Sequence, residues 1–273
     1  MEQPAVEDIA GAMTRLHVQA AEDLAGYLRS LPTEAWEGPT ACTEWTVRQL
    51  AVHVAGGNIR YAGIAHRALD RPSETRTNNG RAGAQPLDLD SLPGDQLVDT
   101  LVANAHDFQK MVGRATSDQL QQMAQLPFGS FPLWSVAAIV AIENVIHNWD
   151  ARVGSESQAR IPVSWSVPVA RAMLGWAPTL ASGDKAGAEG TYLFEVGDGV
   201  GPVTLQVRSD GITITPGRTD DPDVVLHLTS DQYIRLLWGR LKVHQAVQAG
   251  DLRTDGDPSQ AAQLNKVFAG IGN

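Results

Sequence analysis

A glutamate and a histidine lie four residues apart, as Glu143 and His147, in a segment otherwise rich in isoleucine and valine. The helical period of residues 135–153 places both of them, with Asp150, on one arc among apolar side chains. Burying a carboxylate with an imidazole costs several kcal/mol unless a charge or a metal satisfies both groups. A glutamate and a histidine one turn apart on an inward face are spaced to bind one metal ion.

The opposite side of the same helix carries Asn144, Asn148 and Arg152. Polar side chains that recur at this spacing are typical of the solvated face of an amphipathic helix. The sequence therefore predicts that these three residues face solvent, while the ionisable arc faces the interior of the protein.

A third candidate ligand, His53, follows a helix start signal. Thr46 and Gln49 have the spacing of a capping box, and the helix that they predict directs His53 inward with its apolar neighbours. Two histidines and one carboxylate suit Zn²⁺, and with open coordination positions also Fe²⁺ or Mn²⁺. The residues alone leave an alternative open, namely a buried ion pair of Glu143 with His147 and a hydrogen-bonded core histidine at position 53.

Four amphipathic helices are predicted in the first part of the chain, at residues 6–29, 46–56, 94–113 and 135–153. Four such helices favour a four-helix bundle. The long polar stretch from Asp70 to Gln85 separates the second helix from the third. Structureless stretches of this length are usually functional or disordered, so it is either a solvated segment or a basic lid over a ligand.

After Pro162 the apolar period changes to two, which predicts strands near residues 192–196, 203–207, 212–214 and 224–228. Helices are predicted after residue 229 and at residues 258–268. Strands followed by helices indicate a small α+β domain with an antiparallel sheet. We therefore predict two domains, residues 1–160 and 161–273.

Charge and composition argue against several classes of function. The 273 residues include 31 acidic and 21 basic side chains, for a formal net charge of −10. Nucleic acids and anionic membranes bind basic surfaces, so neither is an expected partner. No apolar run is long enough to span a bilayer, and no signal-peptide pattern opens the chain, so the cytoplasm is the expected location. The only cysteine is Cys42, which leaves no internal disulfide framework.

The segments around the candidate ligands resemble a known family. Residues 42–53, Cys-Thr-Glu-Trp-Thr-Val-Arg-Gln-Leu-Ala-Val-His, and 143–151, Glu-Asn-Val-Ile-His-Asn-Trp-Asp-Ala, are similar to two signatures of the mycothiol-dependent maleylpyruvate isomerase family. That family is a branch of the DinB superfamily of metal-binding four-helix bundles, and the resemblance covers residues 5–160. It implies an N-terminal DinB-like four-helix bundle in which His53, Glu143 and His147 bind zinc.

The second half of the chain resembles the C-terminal domain of that family and, more loosely, the sterol-carrier type 2 fold. The matching segments are residues 236–240, Leu-Leu-Trp-Gly-Arg, and 250–257, Gly-Asp-Leu-Arg-Thr-Asp-Gly-Asp. Family members use an arginine of this domain in the active site, which implies Arg240 as a catalytic residue and Arg253 as the second, cofactor-binding candidate. The alternative for Arg240 is a surface position near a turn. A shared fold does not carry function, so sterol binding is not expected.

The resemblance also implies the chemistry, with mycothiol or a similar small thiol as cosubstrate and Zn²⁺ or another divalent metal as cofactor. A metal-bound thiol loses its proton, and the thiolate attacks an electrophilic small molecule. The favoured interpretation is a thiol S-transferase of detoxification or antibiotic and other natural-product biosynthesis, acting as a monomer or homodimer. The alternatives are a mycothiol-dependent maleylpyruvate cis–trans isomerase, a metallohydrolase and a non-catalytic metal- or ligand-binding protein.

Two further residues have open assignments. Asp150 lies one turn after His147 and is interpreted as catalytic support that orients His147, or as a plain salt-bridge partner of an arginine. Cys42 is either a reactive thiol beside the site or an inert cysteine. The inert alternative is favoured, because no base lies near it in the sequence.

Overall fold

A computed structural model describes residues 5–69, 87–126, 129–156, 158–181 and 183–270. The chain divides into two compact units, Met1–Ala159 and Arg160–Asn273. The stretch from Asp70 to Gln85 lies outside the described residues, so the two predictions for it, a solvated segment or a basic lid, stay predictions.

The first unit is a helical bundle. Its elements are α1 (Val6–Ser30), a 3₁₀ turn (Thr33–Glu37), α2 (Val47–Ala68), α3 (Gly94–Val112), α4 (Ser117–Leu120), β1 (Met123–Leu126), β2 (Gly129–Pro132) and α5 (Leu133–Val153). Helices α1 and α2 each pack against both α3 and α5. The four long helices thus surround one apolar core, and the predicted bundle is confirmed.

The start of α2 follows from its capping residues. The Thr46 side chain accepts a hydrogen bond from Gln49 N, and the Gln49 side chain accepts one from Thr46 N. This reciprocal pair satisfies backbone donors that the first helical turn leaves unpaired. It fixes the register of α2 and therefore the direction in which His53 leaves the helix.

Helix α5 is buried on both sides, contrary to the predicted solvated face. Asn144 and Asn148 are 2% and 4% exposed, because α5 packs against α1 as well as α2. Asn148 donates to Ala20 O, while Arg152 pairs with Asp23 at the edge of the bundle. The polar residues on this side therefore make hydrogen bonds within the bundle. The helical period separated the two faces of α5 correctly, but the prediction that one of these faces is solvated is wrong.

A short hairpin leads directly into α5 and was not predicted. Strands β1 and β2 pair antiparallel from Met123↔Pro132 to Leu126↔Gly129. Leu133 N, the first residue of α5, donates to Gln122 O. The strands are too short to show a period in the sequence, and the hairpin ties the start of α5 to the chain before it.

The second unit contains a five-stranded sheet in the order β5-β4-β3-β6-β7. The elements are α6 (Val163–Met173), a 3₁₀ turn (Ala177–Leu180), β3 (Gly190–Val196), β4 (Gly201–Arg208), β5 (Gly211–Pro216), β6 (Val224–Leu228), α7 (Ser230–Leu237), α8 (Val243–Gln248), β7 (Arg253–Gly256) and α9 (Pro258–Val267). Neighbouring strands are antiparallel apart from β3 and β6, which are parallel. The predicted α+β class is confirmed; the parallel central pair and β7 were not predicted.

Helix α7 of this unit holds a buried ion pair. Arg235 donates from Nε and Nη2 to the Asp231 carboxylate, with Nη2–Oδ2 at 2.7 Å. Asp231 Oδ1 also accepts from Ile161 N at 3.0 Å. Both oxygens of the Asp231 carboxylate thus accept hydrogen bonds inside the unit. These bonds offset the cost of burying the charges of Asp231 and Arg235, which are both buried.

None of the helices in the described part of the chain combines the length and the apolar character that a bilayer crossing requires.

A buried histidine in α1 makes the stability of the protein depend on pH. His17 is 0% exposed, and its Nε2 lies 3.1 Å from Asn58 Oδ1. Burial lowers the pKa of His17 from 6.5 to about 4, against the opposing effect of the Asn58 hydrogen bond. The folded protein therefore keeps this ring neutral at a pH where the unfolded chain protonates it, and stability is lost as the pH falls from 6.5 towards 4.

We expect a His17→Gln variant to lose this pH dependence. Between pH 7.5 and 4.5, the free energy of unfolding of the wild type should fall by about 2–3 kcal/mol more than that of the variant. Urea titrations of both proteins across this range measure the difference. Parallel pH profiles would contradict the assignment of His17 as a neutral core residue.

Candidate metal centre

The loop before α2 packs against the end of α5. Pro39 pairs with Thr46 in an antiparallel bridge, and Ala41 N donates to Asp150 O at 3.0 Å. Gly154 permits this approach, because a β-carbon at that position would overlap the Pro39 carbonyl. The first sequence signature, residues 42–53, is therefore held directly on the second, residues 143–151.

The structure brings His53, Glu143 and His147 together. Glu143 Oε2 lies 3.4 Å from His147 Nε2 and 3.9 Å from His53 Nε2. The i,i+4 spacing on α5 places the glutamate and its neighbouring histidine on one side of that helix, and α2 supplies the other ring. One donor atom from each of the three residues lies within 4.8 Å of the other two.

These separations fit a divalent cation. Nitrogen and carboxylate ligands about 2.0–2.2 Å from a tetrahedral metal are about 3.4 Å from one another. The 3.4 Å pair already has this spacing, and the 3.9 Å pair needs only a small closing movement. Two imidazoles and a carboxylate are also a common donor set for Zn²⁺ and Fe²⁺, so both the chemistry and the geometry of these residues fit a metal.

The three candidate ligands differ in exposure. The side chains of His147, Glu143 and His53 are 5%, 26% and 41% exposed, respectively. The prediction that His53 is a buried inward residue is therefore wrong: α2 presents it at the rim of the pocket. An exposed rim ligand leaves coordination positions open towards solvent, as catalytic rather than structural metal sites do.

Asp150 supports the buried histidine from behind. His147 Nδ1 donates to Asp150 Oδ2 at 3.0 Å, which leaves Nε2 directed at Glu143. Cys42 Sγ donates to the same carboxylate oxygen at 3.2 Å. A carboxylate bound to the distal nitrogen of a ligating histidine fixes the tautomer and raises the basicity of the ring. Of the two sequence interpretations of Asp150, the geometry favours the orienting role.

The three supporting groups Cys42, His147 and Asp150 also lie close enough to bind a metal. They are, however, joined by hydrogen bonds, and Asp150 is 0% exposed. The cysteine thiol is itself only 1% exposed, so it is not a surface nucleophile. We interpret this cluster as the support of the outer site, which faces the pocket.

Opposing charges dominate the electrostatics of the site. Burial alone would raise the pKa of Glu143, but hydrogen bonds from His147 and His53 and their positive charge lower it to about 2. Burial would lower the pKa of His147, yet hydrogen bonds to Asp150, Cys42 and Glu143 raise it well above 6.5. The arrangement of carboxylates therefore demands a positive charge at His147 Nε2, which either a proton or a metal ion supplies.

Trp45 holds the outer histidine in place. Its ring centroid is 4.5 Å from that of His53, with the planes tilted by 39°. The two histidine rings of the site are 4.9 Å apart and nearly perpendicular. Sequence reasoning missed this contact; the position of the tryptophan inside the same signature as His53 was the available signal.

A small pocket opens beside these side chains. It is lined by His53, Val54, Gly57, Asn58, Tyr61, Glu143, Asn144 and His147. All eight residues belong to α2 or α5. The pocket is thus a groove between two helices of the bundle, with the candidate metal ligands along one part of its wall.

The two arginine candidates lie in the second unit. Arg240 is half-buried after α7, where Nη1 donates to Trp238 O at 3.3 Å. Arg253 is an exposed residue of the edge strand β7, with Nη2 at 2.6 Å from His227 Nε2 and at 3.5 Å from Asp255 Oδ2. Arg240 is thus partly enclosed close to a turn, whereas Arg253 is exposed, and the binding roles of both arginines stay predictions.

We expect Asp150→Asn to weaken metal binding without removing a ligand. An asparagine of the same size cannot balance the charge or fix the tautomer of His147, and losses of this kind cost about 10–100-fold in metal affinity. Competition with a chromophoric chelator measures the Zn²⁺ dissociation constant.

The matched control for this variant is Asp107→Asn. Asp107 is also a buried carboxylate bound to a histidine, with Oδ2 2.9 Å from His66 Nε2, but it does not line the pocket. It should lower stability and leave Zn²⁺ affinity unchanged. Equal Zn²⁺ affinity in the wild type and the Asp150→Asn protein would contradict the supporting role.

Family models match both parts of the chain. Residues 17–152 match the mycothiol maleylpyruvate isomerase N-terminal domain, a range that contains His53, Glu143, His147 and Asp150. Residues 178–269 match the SCP-2 sterol transfer family.

Each of the following curated relatives matches only part of the chain. An uncharacterized protein of Mycobacterium tuberculosis is 26% identical over 165 residues, which cover 58% of this chain and 78% of that protein. Human hydroxysteroid dehydrogenase-like protein 2 is 33% identical over 79 residues. That match covers 28% of this chain and only 19% of the relative, so the chain spans about a fifth of this relative's length.

A solved structure shares the fold over most of the chain. The crystal structure of the mycothiol-dependent maleylpyruvate isomerase matches with a TM-score of 0.56 and 14% sequence identity, covering 88% of this chain and 93% of that chain. Together with the domain matches, this establishes the architecture anticipated from the two signatures. The chain therefore consists of a mycothiol maleylpyruvate isomerase N-terminal domain followed by a domain of the SCP-2 sterol transfer family.

Proposed function

We propose that the protein is a metal-dependent thiol S-transferase, in which the thiolate of mycothiol or a similar small thiol, held at the metal, attacks an electrophilic small molecule. The coarser class, a thiol-dependent isomerase or transferase enzyme, follows from the family. The observation that supports the finer proposal is the convergence of His53, Glu143 and His147 on one open pocket.

A divalent cation in this site would favour the thiolate form of a bound thiol, which is a nucleophile at neutral pH. The residues of the chain supply the rest. Glu143 contributes the negative charge that balances the cation, and Asp150 keeps His147 in the ligating tautomer. Trp45 packs on His53 and limits its rotation, which lowers the entropy lost when this exposed ring becomes a ligand.

Zn²⁺ is the metal that we propose, with another divalent ion as the alternative. The donor set of two imidazoles and one carboxylate also accepts Fe²⁺ and Mn²⁺. Metal analysis of protein purified without chelators identifies the resident ion. A stoichiometric monovalent ion, or no ion at all, would contradict the proposal.

Arg240 is proposed to bind a carboxylate of the electrophile. A guanidinium holds a carboxylate through two parallel hydrogen bonds, which lysine cannot reproduce. An Arg240→Lys protein should therefore show a raised KM for a carboxylate-bearing electrophile and an unchanged KM for an uncharged one. Arg253, which is exposed and bound to His227, is the second candidate and serves as the comparison.

A mycothiol-dependent maleylpyruvate cis–trans isomerase is the second candidate function. It is favoured by the family match at residues 17–152. The same thiolate addition would serve it, with the thiol expelled after rotation about the former double bond. In S-transfer the sulfur stays on the product, so the fate of the thiol separates the two functions.

The experiment is an incubation of zinc-loaded protein with mycothiol and either maleylpyruvate or benzyl bromide. S-transfer predicts an S-conjugate that mass spectrometry detects and that requires both metal and thiol. Isomerisation predicts conversion of maleylpyruvate with the thiol recovered unchanged. Turnover that does not depend on mycothiol would contradict both and favour a metallohydrolase, whereas metal binding without turnover would favour a non-catalytic binding protein.

We further propose that the enzyme works in the cytoplasm, as a monomer or homodimer, on electrophiles met in detoxification or in natural-product biosynthesis. Small thiols are kept reduced in the cytosol, which an enzyme of this class requires. Cell fractionation locates the protein. Recovery outside the cytosolic fraction would contradict this part of the proposal.

A further inference from the structure

Tyr61 lies in the pocket beside the candidate metal ligands. It follows His53 by eight residues on α2, so the two side chains leave the helix about 80° apart and both line the pocket, with Gly57 between them. A β-carbon at Gly57 would meet nothing closer than Tyr61 Cε2 at 4.0 Å. The space over Gly57 is therefore open, and it connects the metal ligands with the tyrosine ring.

The amides of the same pocket are already committed. Asn58 Nδ2 donates to Leu101 O and to Asn144 Oδ1, and Asn144 Nδ2 donates to Asn58 Oδ1 and to Val140 O. Asn58 Oδ1 also lies 3.1 Å from His17 Nε2. Each amide group has two N–H donors, and all four are used within the bundle. A ligand in the pocket thus finds no amide donor available in this part of its wall.

The hydroxyl of Tyr61 is in a different situation. The residue is 8% exposed, and its hydroxyl makes no hydrogen bond to any residue in the part of the chain that the structure describes. Burial, and then the negative charge of Glu143, raise its pKa far above the usual value. The group is therefore a neutral donor at any physiological pH. It is not one of the fully enclosed side-chain atoms that lack a partner, so a ligand in the pocket can reach it.

The tyrosine ring also lies close to the candidate ligands. Its Cε2 atom is 4.0 Å from the place of a β-carbon at Gly57, which is one helical turn from His53. A small molecule whose sulfur were held at the metal ligands would meet this ring along the same pocket wall.

We propose that the Tyr61 hydroxyl donates a hydrogen bond to a carbonyl oxygen of the electrophile. The inference rests on the proposed function. Where that carbonyl is conjugated with a C=C bond, as in maleylpyruvate, the sulfur forms a bond to the β-carbon, the C=C electron pair moves between the α-carbon and the carbonyl carbon, and the carbonyl π pair moves onto oxygen. Tyr61 stabilises this negative oxygen. The enolate then either expels the thiolate after rotation or takes a proton from solvent at the α-carbon.

The test uses two thiols of nearly equal size as probes of zinc-loaded protein. In 3-mercaptopropionamide the carbonyl stands where the adduct of such a substrate has it, whereas butane-1-thiol has only methylene and methyl groups there. Calorimetry with Tyr61→Phe should show the amide thiol bound about 5–10-fold more weakly than by the wild type, the effect of one neutral hydrogen bond. Binding of butane-1-thiol and of Zn²⁺ should be unchanged.

Tyr27→Phe is the matched control, because the Tyr27 hydroxyl bonds Ala151 O and Ser155 Oγ and does not line the pocket. It should leave the affinities for both thiols as in the wild type. Equal binding of the amide thiol by the wild type and Tyr61→Phe would overturn the role of Tyr61 while leaving the thiol site intact. If neither thiol binds the zinc-loaded wild type, the proposed function fails and the inference fails with it.

Discussion

A Glu143→Gln protein should fold and yet lose both its metal and its thiol chemistry. Glutamine has the size of glutamate and retains one oxygen, but it removes the charge that balances the cation. Changes outside the ligand shell already cost about 10–100-fold in metal affinity, so loss of a charged ligand should cost at least about 100-fold. Thiol-transfer activity should fall in parallel, because activation of the thiol depends on the metal.

Glu22→Gln is the control for this change. Glu22 Oε1 also accepts from a histidine, His106 Nε2, at 3.0 Å, but the pair is exposed on the bundle surface. Its replacement should leave Zn²⁺ affinity and turnover at the wild-type level. Chelator competition measures the Zn²⁺ affinity of both variants, and a thiol-transfer assay measures their turnover. A Glu143→Gln protein that lacks metal and still turns over thiol at the wild-type rate would overturn the catalytic assignment.

His53→Ala should separate function from stability. This ring is 41% exposed and lies at the rim, so its removal leaves the core of the bundle intact. Substitutions at such positions usually change the free energy of unfolding by about 0.5 kcal/mol or less. Metal affinity, in contrast, should fall by at least about 100-fold, because one of three ligands is lost. Urea titration of the metal-free proteins and Zn²⁺ titration measure the two effects.

His106→Ala provides the comparison for the rim histidine. Its side chain is 49% exposed and pairs with a glutamate, as His53 does, but it does not line the pocket. Neither its stability nor its metal affinity should change appreciably. Unfolding of the His53→Ala protein at much lower urea concentration would contradict this separation of function from stability.

The local signals in the sequence were sufficient for the elements that carry the site. The capping pair Thr46 and Gln49 predicted the start of α2, and the i,i+4 spacing predicted that Glu143 and His147 share a face. These predictions held because capping and helical period depend on neighbours within one turn. The helical period left two alternatives for His53, Glu143 and His147, a metal site or a buried ion pair with a core histidine, and the family resemblance favoured the metal site.

Long-range packing accounts for what the sequence did not reveal. Period alone cannot tell a helix with one solvated face from a helix that packs on both sides, which is why Asn144 and Asn148 were assigned to solvent. The hydrogen bond from Cys42 to Asp150 depends on the loop that Gly154 admits to the end of α5. The role inferred for Tyr61 was also hidden, because an aromatic residue in an apolar helix is typical of a core.

The central claim is that three side chains hold a metal that activates a thiol, and cobalt substitution tests it most directly. The protein should bind one Co²⁺ per chain, and addition of mycothiol should produce a sulfur-to-cobalt charge-transfer band in the near ultraviolet. Glu143→Gln should show neither, whereas Glu22→Gln should show both. A wild-type protein that binds no stoichiometric metal, or that binds mycothiol without this band, would contradict the account.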